Sequence, residues 1–102
     1  MSVLVFVRFF PHPGQEGRVE SVLRGMVAKT REEPGCRRYD LFQVPATSGG
    51  GTFCLIEKYA DQAAVQAHRE TRHYKEYRAN IMALLAQPIE VTMLEPVDAR
   101  DS

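Results

Sequence analysis

The stretch from 57 to 77, EKYADQAAVQAHRETRHYKEY, concentrates the side chains of this chain that could do acid–base chemistry. It contains two of the three histidines and three of the four tyrosines. A histidine exchanges a proton close to neutral pH, and a buried carboxylate needs either a partner or a proton. The stretch is therefore either one wall of an active site or a helix with ordinary polar side chains.

Two residues of this stretch are the candidate catalytic groups. His68 shares one side of its predicted helix with Ala64 and Ala67, so it should face the sheet. Glu57 is the acidic residue on an otherwise apolar side of a predicted strand. His68 would act as a general base, and Glu57 would fix its tautomer or accept a substrate proton. The alternative is a core histidine and a structural carboxylate, the latter bonded to Tyr39 or to backbone.

The other histidines are weaker candidates. His73 follows His68 by five residues, which is about 140° around a helix that continues through both. On that geometry the two rings do not share a metal as an i, i+4 pair would, and His73 is interpreted as structural. His12 lies in a turn and is expected to be solvated. The sequence contains no metal motif, no Ser-His-Asp pattern and no phosphate loop, so no metal is predicted.

The elements that must position these residues follow from the apolar pattern. Residues at i, i+3, i+4, i+7 and i+8 predict a helix over 15–32, and a second helical region begins after Asp61, a good N-cap. Thr71 is a candidate cap for a further helical piece within that region. A glycine-rich loop, PATSGGG at 45–51, joins two strands into a hairpin. The predicted strands are 3–10, 36–44, 52–59 and 89–95.

The resulting order is β-α-β-β-α-β, the ferredoxin-like arrangement of the α+β class. Two helical regions would cover one face of a four-stranded antiparallel sheet. The 102 residues suit one domain, predicted over 1–96, with a frayed tail at 97–102.

The strands carry apolar residues on both sides, which a sheet with one wet face should not do. We therefore expect a homodimer through the helix-free face. In the first strand the two sides are Val3, Val5, Val7 and Phe9, and Leu4, Phe6 and Phe10.

Charge and composition bear on partners and compartment. The 13 basic and 13 acidic residues give zero net charge, which disfavours nucleic acid and anionic membrane. The apolar start is broken by Arg8 and lacks the features of a signal peptide, so cytoplasm is the expected location. Cys36 and Cys54 fit no zinc spacing and are predicted to be free thiols, with Cys54 opposite residues near Phe42.

Three segments, EPGCRRYDLFQ at 33–43, FCLIEKY at 53–59 and DQAAVQAHRETRHYKEY at 61–77, point to a family. Over residues 3–95 the chain resembles the antibiotic-biosynthesis monooxygenase domain proteins, the small dimeric α+β-barrel group. The resemblance implies a homodimer whose sheets pack face to face, and a pocket in each subunit between sheet and helices. Members include cofactor-independent oxygenases of phenols, naphthols or quinols, haem-degrading enzymes and an isomerase of a small ketone.

The haem-degrading branch can be tested by residue. Its members carry an asparagine, a tryptophan and a histidine at positions that correspond here to Val7, His68 and Arg78. All three types differ, and the chain has no tryptophan. Haem degradation is therefore excluded.

The resemblance thus implies a monooxygenase that acts on a small aromatic or quinol substrate and needs no cofactor. An electron-rich phenolate can itself pass an electron to oxygen, so one base, a few donors and an apolar wall suffice. The alternative is a dimeric small-molecule sensor, or an isomerase of a small ketone, that uses the same pocket. The expected substrate-binding residues are Tyr39, Tyr59, Val7, Phe9 and Leu55.

Overall fold

A computed structural model describes residues 2–45 and 51–100. Within them the chain forms four strands, three α-helices and one short 3-10 turn at Met82–Leu84. The strands are β1 (Val3–Phe9), β2 (Cys36–Gln43), β3 (Phe53–Tyr59) and β4 (Glu90–Leu94), and the helices are α1 (Glu16–Thr30), α2 (Gln62–Arg69) and α3 (Arg72–Ile81). Predicted and observed boundaries of the strands and of α1 differ by two residues at most.

The four strands form one antiparallel sheet in the order β2-β3-β1-β4. This is the predicted ferredoxin-like arrangement, and it is confirmed. In the β2–β3 hairpin Cys54 lies opposite Phe42, as the sequence predicts, and Cys36 lies opposite Tyr59 at the far end. Both cysteines are free. Most of the predicted glycine-rich loop, residues 46–50, lies outside the described residues.

The helices cover one face of the sheet and bury its apolar side chains. α1 contributes the predicted stripe of residues, whose centre is Val19, Leu23 and Met26. On the sheet, odd-numbered residues of β1 and β3 point toward the helices, so Glu57 shares its side with Leu55 and Tyr59. The buried apolar core consists of Val5, Val7, Phe9, Val19, Leu23, Met26, Tyr39, Phe53, Leu55, Tyr59, Val65, Tyr77, Ile81 and Leu85.

The helix-free face carries a diagonal apolar band rather than a uniformly apolar surface. The strand register places its members in three neighbouring pairs across the sheet. Charged side chains flank the band at two opposite corners: Arg38 and Lys58 at one, and the ion pair of Arg8 with Glu90 at the other. The band consists of Leu94, Leu4, Phe6, Ile56, Cys54 and Phe42.

The second helical region is interrupted between α2 and α3. Asp61 caps α2, and its carboxylate accepts from the N–H of Ala64 at 2.9 Å. Thr71 has extended backbone and caps α3, because its Oγ1 accepts from the N–H of Tyr74 at 3.2 Å. The same hydroxyl donates to the carbonyl of His68 at 2.7 Å, which fixes the break next to the candidate base.

Among the described residues, no helix has the length and apolar character needed to span a bilayer.

Candidate functional site

His68 is held through Nδ1 by a carboxylate from another part of the chain. Nδ1 lies 2.8 Å from Oε2 of Glu33, and the histidine is 3% exposed. A carboxylate only accepts hydrogen bonds, so Nδ1 carries the proton in a neutral ring. Nε2 is then the nitrogen with a free lone pair, which is the state that a general base requires.

The turn after α1 brings Glu33 to this position. The N–H of Glu33 donates to the carbonyl of Thr30 at 3.0 Å, and the carbonyl of Glu33 accepts from the N–H of Cys36 at 3.1 Å. Gly35 lets the turn approach α2 closely, because a Cβ there would lie 2.4 Å from the Cβ of Ala64. A larger residue at 35 would therefore push the turn away from α2, and with it Glu33 from His68.

Glu57 is buried on β3 and is bonded within its own strand. The hydroxyl of Tyr59 donates to Oε1 of Glu57 at 2.6 Å. Burial raises the pKa of Glu57 to about 7, although the hydrogen bond from Tyr59 and the charge of Arg69 oppose the rise. Near neutral pH this carboxyl group therefore exchanges its proton readily.

Aromatic side chains enclose the imidazole of His68. Its ring centroid lies 5.0 Å from that of Tyr74, 5.4 Å from that of Tyr59 and 5.8 Å from that of Tyr39. Burial raises the pKa of both Tyr39 and Tyr59, and the charge of Glu57 adds to the rise. Both phenols thus stay protonated, and because the hydroxyl of Tyr59 already donates to Glu57, Tyr39 is the candidate donor to a substrate.

Burial also sets the protonation state of His68. It lowers the pKa of the imidazole below its ordinary value, while the hydrogen bond and charge of Glu33 act in the opposite direction. The ring is consequently neutral at physiological pH and able to accept a proton.

A small cavity lies between the sheet and helices α2 and α3. Its volume is about 30 Å³, enough for about one water molecule and much less than a ligand pocket. Arg69 and Arg78 stand among its lining residues. The full lining is Val5, Val7, Tyr39, Glu57, Tyr59, Val65, His68, Arg69, Tyr74, Tyr77, Arg78 and Val91.

A cleft of about 670 Å³ neighbours this cavity and shares Arg69 with it. It lies between α2, which contributes Gln62 and Arg69, and the outer end of the β1–β4 pair, where Val3 and Met93 supply apolar surface. Its volume is in the range of small-molecule sites. Another cleft, of about 650 Å³, lies at the start of β2 beside residues 99–100, away from His68.

The structure brings most of the predicted site residues together. Val7, Tyr39, Tyr59, Glu57 and His68 all line the small cavity.

The structure does not place Phe9 and Leu55 at the cavity with the other predicted substrate-binding residues. Both are core residues, at most 1% exposed, and neither lines the cavity. The ring of Phe9 packs edge-on against Tyr77 instead, with ring centroids 6.2 Å apart. The side-chain periodicity of a strand identifies its inward face, but it does not indicate which inward residues border a cavity.

The expected pairing of Glu57 with His68 is also corrected. In the described part of the chain these two side chains form no hydrogen bond with each other; Tyr59 bonds Glu57, and Glu33 bonds His68. The prediction missed Glu33 because it follows α1 in sequence and has no local pattern that marks it. Only the tertiary approach at Gly35 reveals it.

The helical geometry behind the prediction that His68 and His73 do not share a metal does not hold. Nε2 of His73 lies 2.5 Å from the same Oε2 of Glu33, and the three ligand atoms lie within 4.8 Å of one another. The angle of 140° assumed one continuous helix, whereas the break at Thr71 reorients α3. His68 therefore lies in the last turn of α2 and His73 in the first turn of α3, and both rings reach Glu33.

Comparison with known proteins places this geometry in a family. The family profile described as "Antibiotic biosynthesis monooxygenase" matches residues 2–80. "Putative monooxygenase Rv0793" of Mycobacterium tuberculosis is 40% identical over 96 residues, which cover 94% of this chain and 92% of that protein. "Putative monooxygenase YcnE" of Bacillus subtilis is 31% identical over 90 residues, covering 88% and 90%.

Solved structures of related proteins have the same fold as this chain. The structure of Rv0793 superposes with a TM-score of 0.90 at 38% identity, covering 97% of this chain and 98% of that one. PA3566 from Pseudomonas aeruginosa gives a TM-score of 0.86 at 31% identity, covering 95% of each chain. The chain therefore belongs to the antibiotic biosynthesis monooxygenase family.

Proposed function

We propose that this protein is a monooxygenase that oxidises a small phenol, naphthol or quinol without a bound cofactor. The observation that carries the proposal is the bond between His68 and Glu33, which leaves Nε2 free beside a cavity of phenol groups. The names of the relatives support the general class of reaction. The substrate class rests on the chemistry of the site.

The reaction begins with the transfer of a proton from the substrate to His68. A substrate hydroxyl placed at the cavity would give its proton to Nε2 of His68, and the resulting imidazolium would be stabilised by Glu33. The phenol of Tyr39 stays protonated and would donate a hydrogen bond to the substrate oxygen, while the hydroxyl of Tyr59 is already engaged with Glu57. The electron-rich phenolate can then pass an electron to oxygen in a site from which water is largely excluded.

The overall conversion balances without an external reductant. A naphthol loses two hydrogens and gains one oxygen atom to become a quinone, while the second oxygen atom leaves as water. Four electrons come from the substrate and four are taken up by the dioxygen. Glu57, with a pKa of about 7, can return or remove a proton during these steps.

The adjacent cleft supports a location for the substrate ring. The small cavity, about 30 Å³, is too small for an aromatic ring, whereas the cleft of about 670 Å³ is large enough. We place the ring in the cleft and the reacting hydroxyl at the cavity. Arg69 borders both and would favour the phenolate.

We further infer that the active form is a homodimer that buries the helix-free face. The diagonal band leaves Phe42 and Leu94 more than 40% exposed in the single chain. Such a contiguous apolar surface is typical of an interface, and a stable one should bury at least about 1,000 Å² in total.

A measurement of substrate turnover distinguishes an enzyme from a small-molecule sensor. Metal-stripped protein is mixed with a panel of hydroquinones and naphthols while oxygen consumption is recorded, and the product is analysed after reaction under ¹⁸O₂. The proposal expects one labelled oxygen atom per product molecule. A compound that binds in equilibrium dialysis but is never consumed would instead identify a sensor.

A further inference from the structure

We propose that Glu33, His68 and His73 form a binding site for a first-row divalent transition-metal ion, and that the bound ion inhibits the enzyme. The site itself is independent of the reaction. Its inhibitory effect rests on the proposed function, because it acts through the proton on His68.

The donor atoms already converge on one point. Oε2 of Glu33 lies 2.8 Å from Nδ1 of His68 and 2.5 Å from Nε2 of His73, and all ligand atoms lie within 4.8 Å of one another. Tetrahedral coordination with bonds of about 2.1 Å separates the donors by roughly 3.4 Å. The ligands therefore need to move by less than about 1 Å to admit an ion.

The donor types select the class of ion. Two imidazoles and one carboxylate suit Zn²⁺, Co²⁺, Ni²⁺ and Fe²⁺, whereas Mg²⁺ and Ca²⁺ prefer sites made of oxygen atoms. Three protein ligands leave at least one position for water or another molecule.

The three ligands are held by a turn and two helices, and the site remains accessible to an ion from solvent. Glu33 stands in the turn after α1, His68 in the last turn of α2 and His73 in the first turn of α3. The side chains of Glu33 and His68 are 13% and 4% exposed, whereas that of His73 is 20% exposed. An ion could therefore enter past His73 without opening the cavity.

A bound metal ion would change the protonation state of the His68 nitrogen that faces the substrate. The ion takes the lone pair of Nδ1, so the proton of the neutral ring must sit on Nε2. Nε2 then donates a hydrogen bond to the cavity and can no longer accept a proton. The same histidine would thus be a base in the metal-free protein and a donor in the loaded one.

Binding is tested first, without any substrate. The full chain is treated with chelator, dialysed and titrated with Zn²⁺ by calorimetry and with Co²⁺ by visible absorption. We expect one ion per chain, and a Co²⁺ spectrum with imidazole ligands. Glu33→Gln and His73→Gln should each weaken binding by at least about 10-fold.

Two control variants test whether loss of metal binding is specific to the three proposed ligands. Glu32→Gln alters the exposed neighbour of Glu33, and His12→Gln alters an exposed histidine outside the cluster. Both should bind like the wild type. Circular dichroism shows whether each variant is folded, and the partly exposed His73 can be changed without touching the core.

Inhibition is tested second, with each variant compared against its own metal-free rate. Zn²⁺ should slow the wild type and have at least about 10-fold less effect on His73→Gln. No binding, or binding that Glu33→Gln and His73→Gln leave unchanged, would overturn the site and leave the proposed oxygenation intact. Stoichiometric binding without slower turnover would overturn the inhibitory role.

Discussion

Nδ1 of His68 lies 2.8 Å from Oε2 of Glu33, a residue 35 positions earlier in the chain. Glu33 therefore makes the contact with His68 that the sequence predicted for Glu57. Because the carboxylate fixes the proton on Nδ1, it determines which nitrogen the histidine offers to a substrate. Glu33 is a positioning residue in this account, since it acts through His68.

Replacing Glu33 should change the pH dependence of catalysis as well as its rate. Glu33 raises the pKa of His68 through its hydrogen bond and charge. In Glu33→Gln that pKa falls, so the acidic limb of the kcat/KM profile should move to lower pH, and the rate should drop by roughly 10-fold or more. The comparison is with Glu32→Gln. A lower rate with an unmoved acidic limb would indicate a purely structural role.

Glu57 should make folding stability depend on pH. Its pKa is 4.5 in the unfolded chain and about 7 in the folded one, so the folded state binds the proton more tightly. The stability that this provides is complete below pH 4.5 and is lost as the pH rises through 7. The free energy of unfolding should fall by on the order of 3 kcal/mol over that range.

Glu57→Gln isolates this effect, because the amide cannot ionise but its oxygen can still accept from Tyr59. Urea denaturation from pH 5 to pH 8, at one protein concentration, should show a smaller decline in the variant than in the wild type. Equal slopes for the two proteins would mean that Glu57 titrates normally in the folded state.

The close approach at Gly35 predicts opposite effects for two glycine substitutions. Gly35→Ala places a Cβ 2.4 Å from that of Ala64 and should cost about 1–3 kcal/mol while moving Glu33 away from His68. Gly25→Ala meets nothing within 4 Å in α1 and should stabilise by about 0.5–1 kcal/mol. Thermal denaturation measures both, and a neutral Gly35→Ala would refute the tight contact.

A charge placed in the diagonal band should separate the proposed dimer. Ile56 lies in the middle of the helix-free face, opposite Phe6. Ile56→Lys would bury an unpaired charge in the interface and should give a monomer by light scattering at micromolar concentration. The control, Ala28→Lys, changes an exposed residue on α1 and should leave the mass unchanged. A monomeric wild type would refute the dimer itself.

The sequence predicts the fold well because local patterns carry the information. Alternation in β1 and β3 identifies the inward face that includes Glu57, and Asp61 and Thr71 cap the helices as expected. The position of His68 against the sheet follows from its helix period. On α2, however, Val65 is buried beside it while the predicted Ala67 is exposed.

The contacts between distant elements could not be predicted in the same way. Glu33 reaches His68 and His73 only because the turn at Gly35 packs on α2 and the chain breaks at Thr71. No spacing in the sequence encodes that meeting. The size of the cavity likewise depends on how whole layers pack, which periodicity does not describe.

The central claim is that His68 accepts the substrate proton, and oxygen consumption by metal-stripped protein tests it most directly. With the best substrate of the phenol panel, His68→Ala should turn over at least about 10²-fold more slowly than the wild type, while it remains folded. His12→Ala, which changes an exposed histidine, should keep the wild-type rate. Turnover by His68→Ala at the wild-type rate would contradict the account.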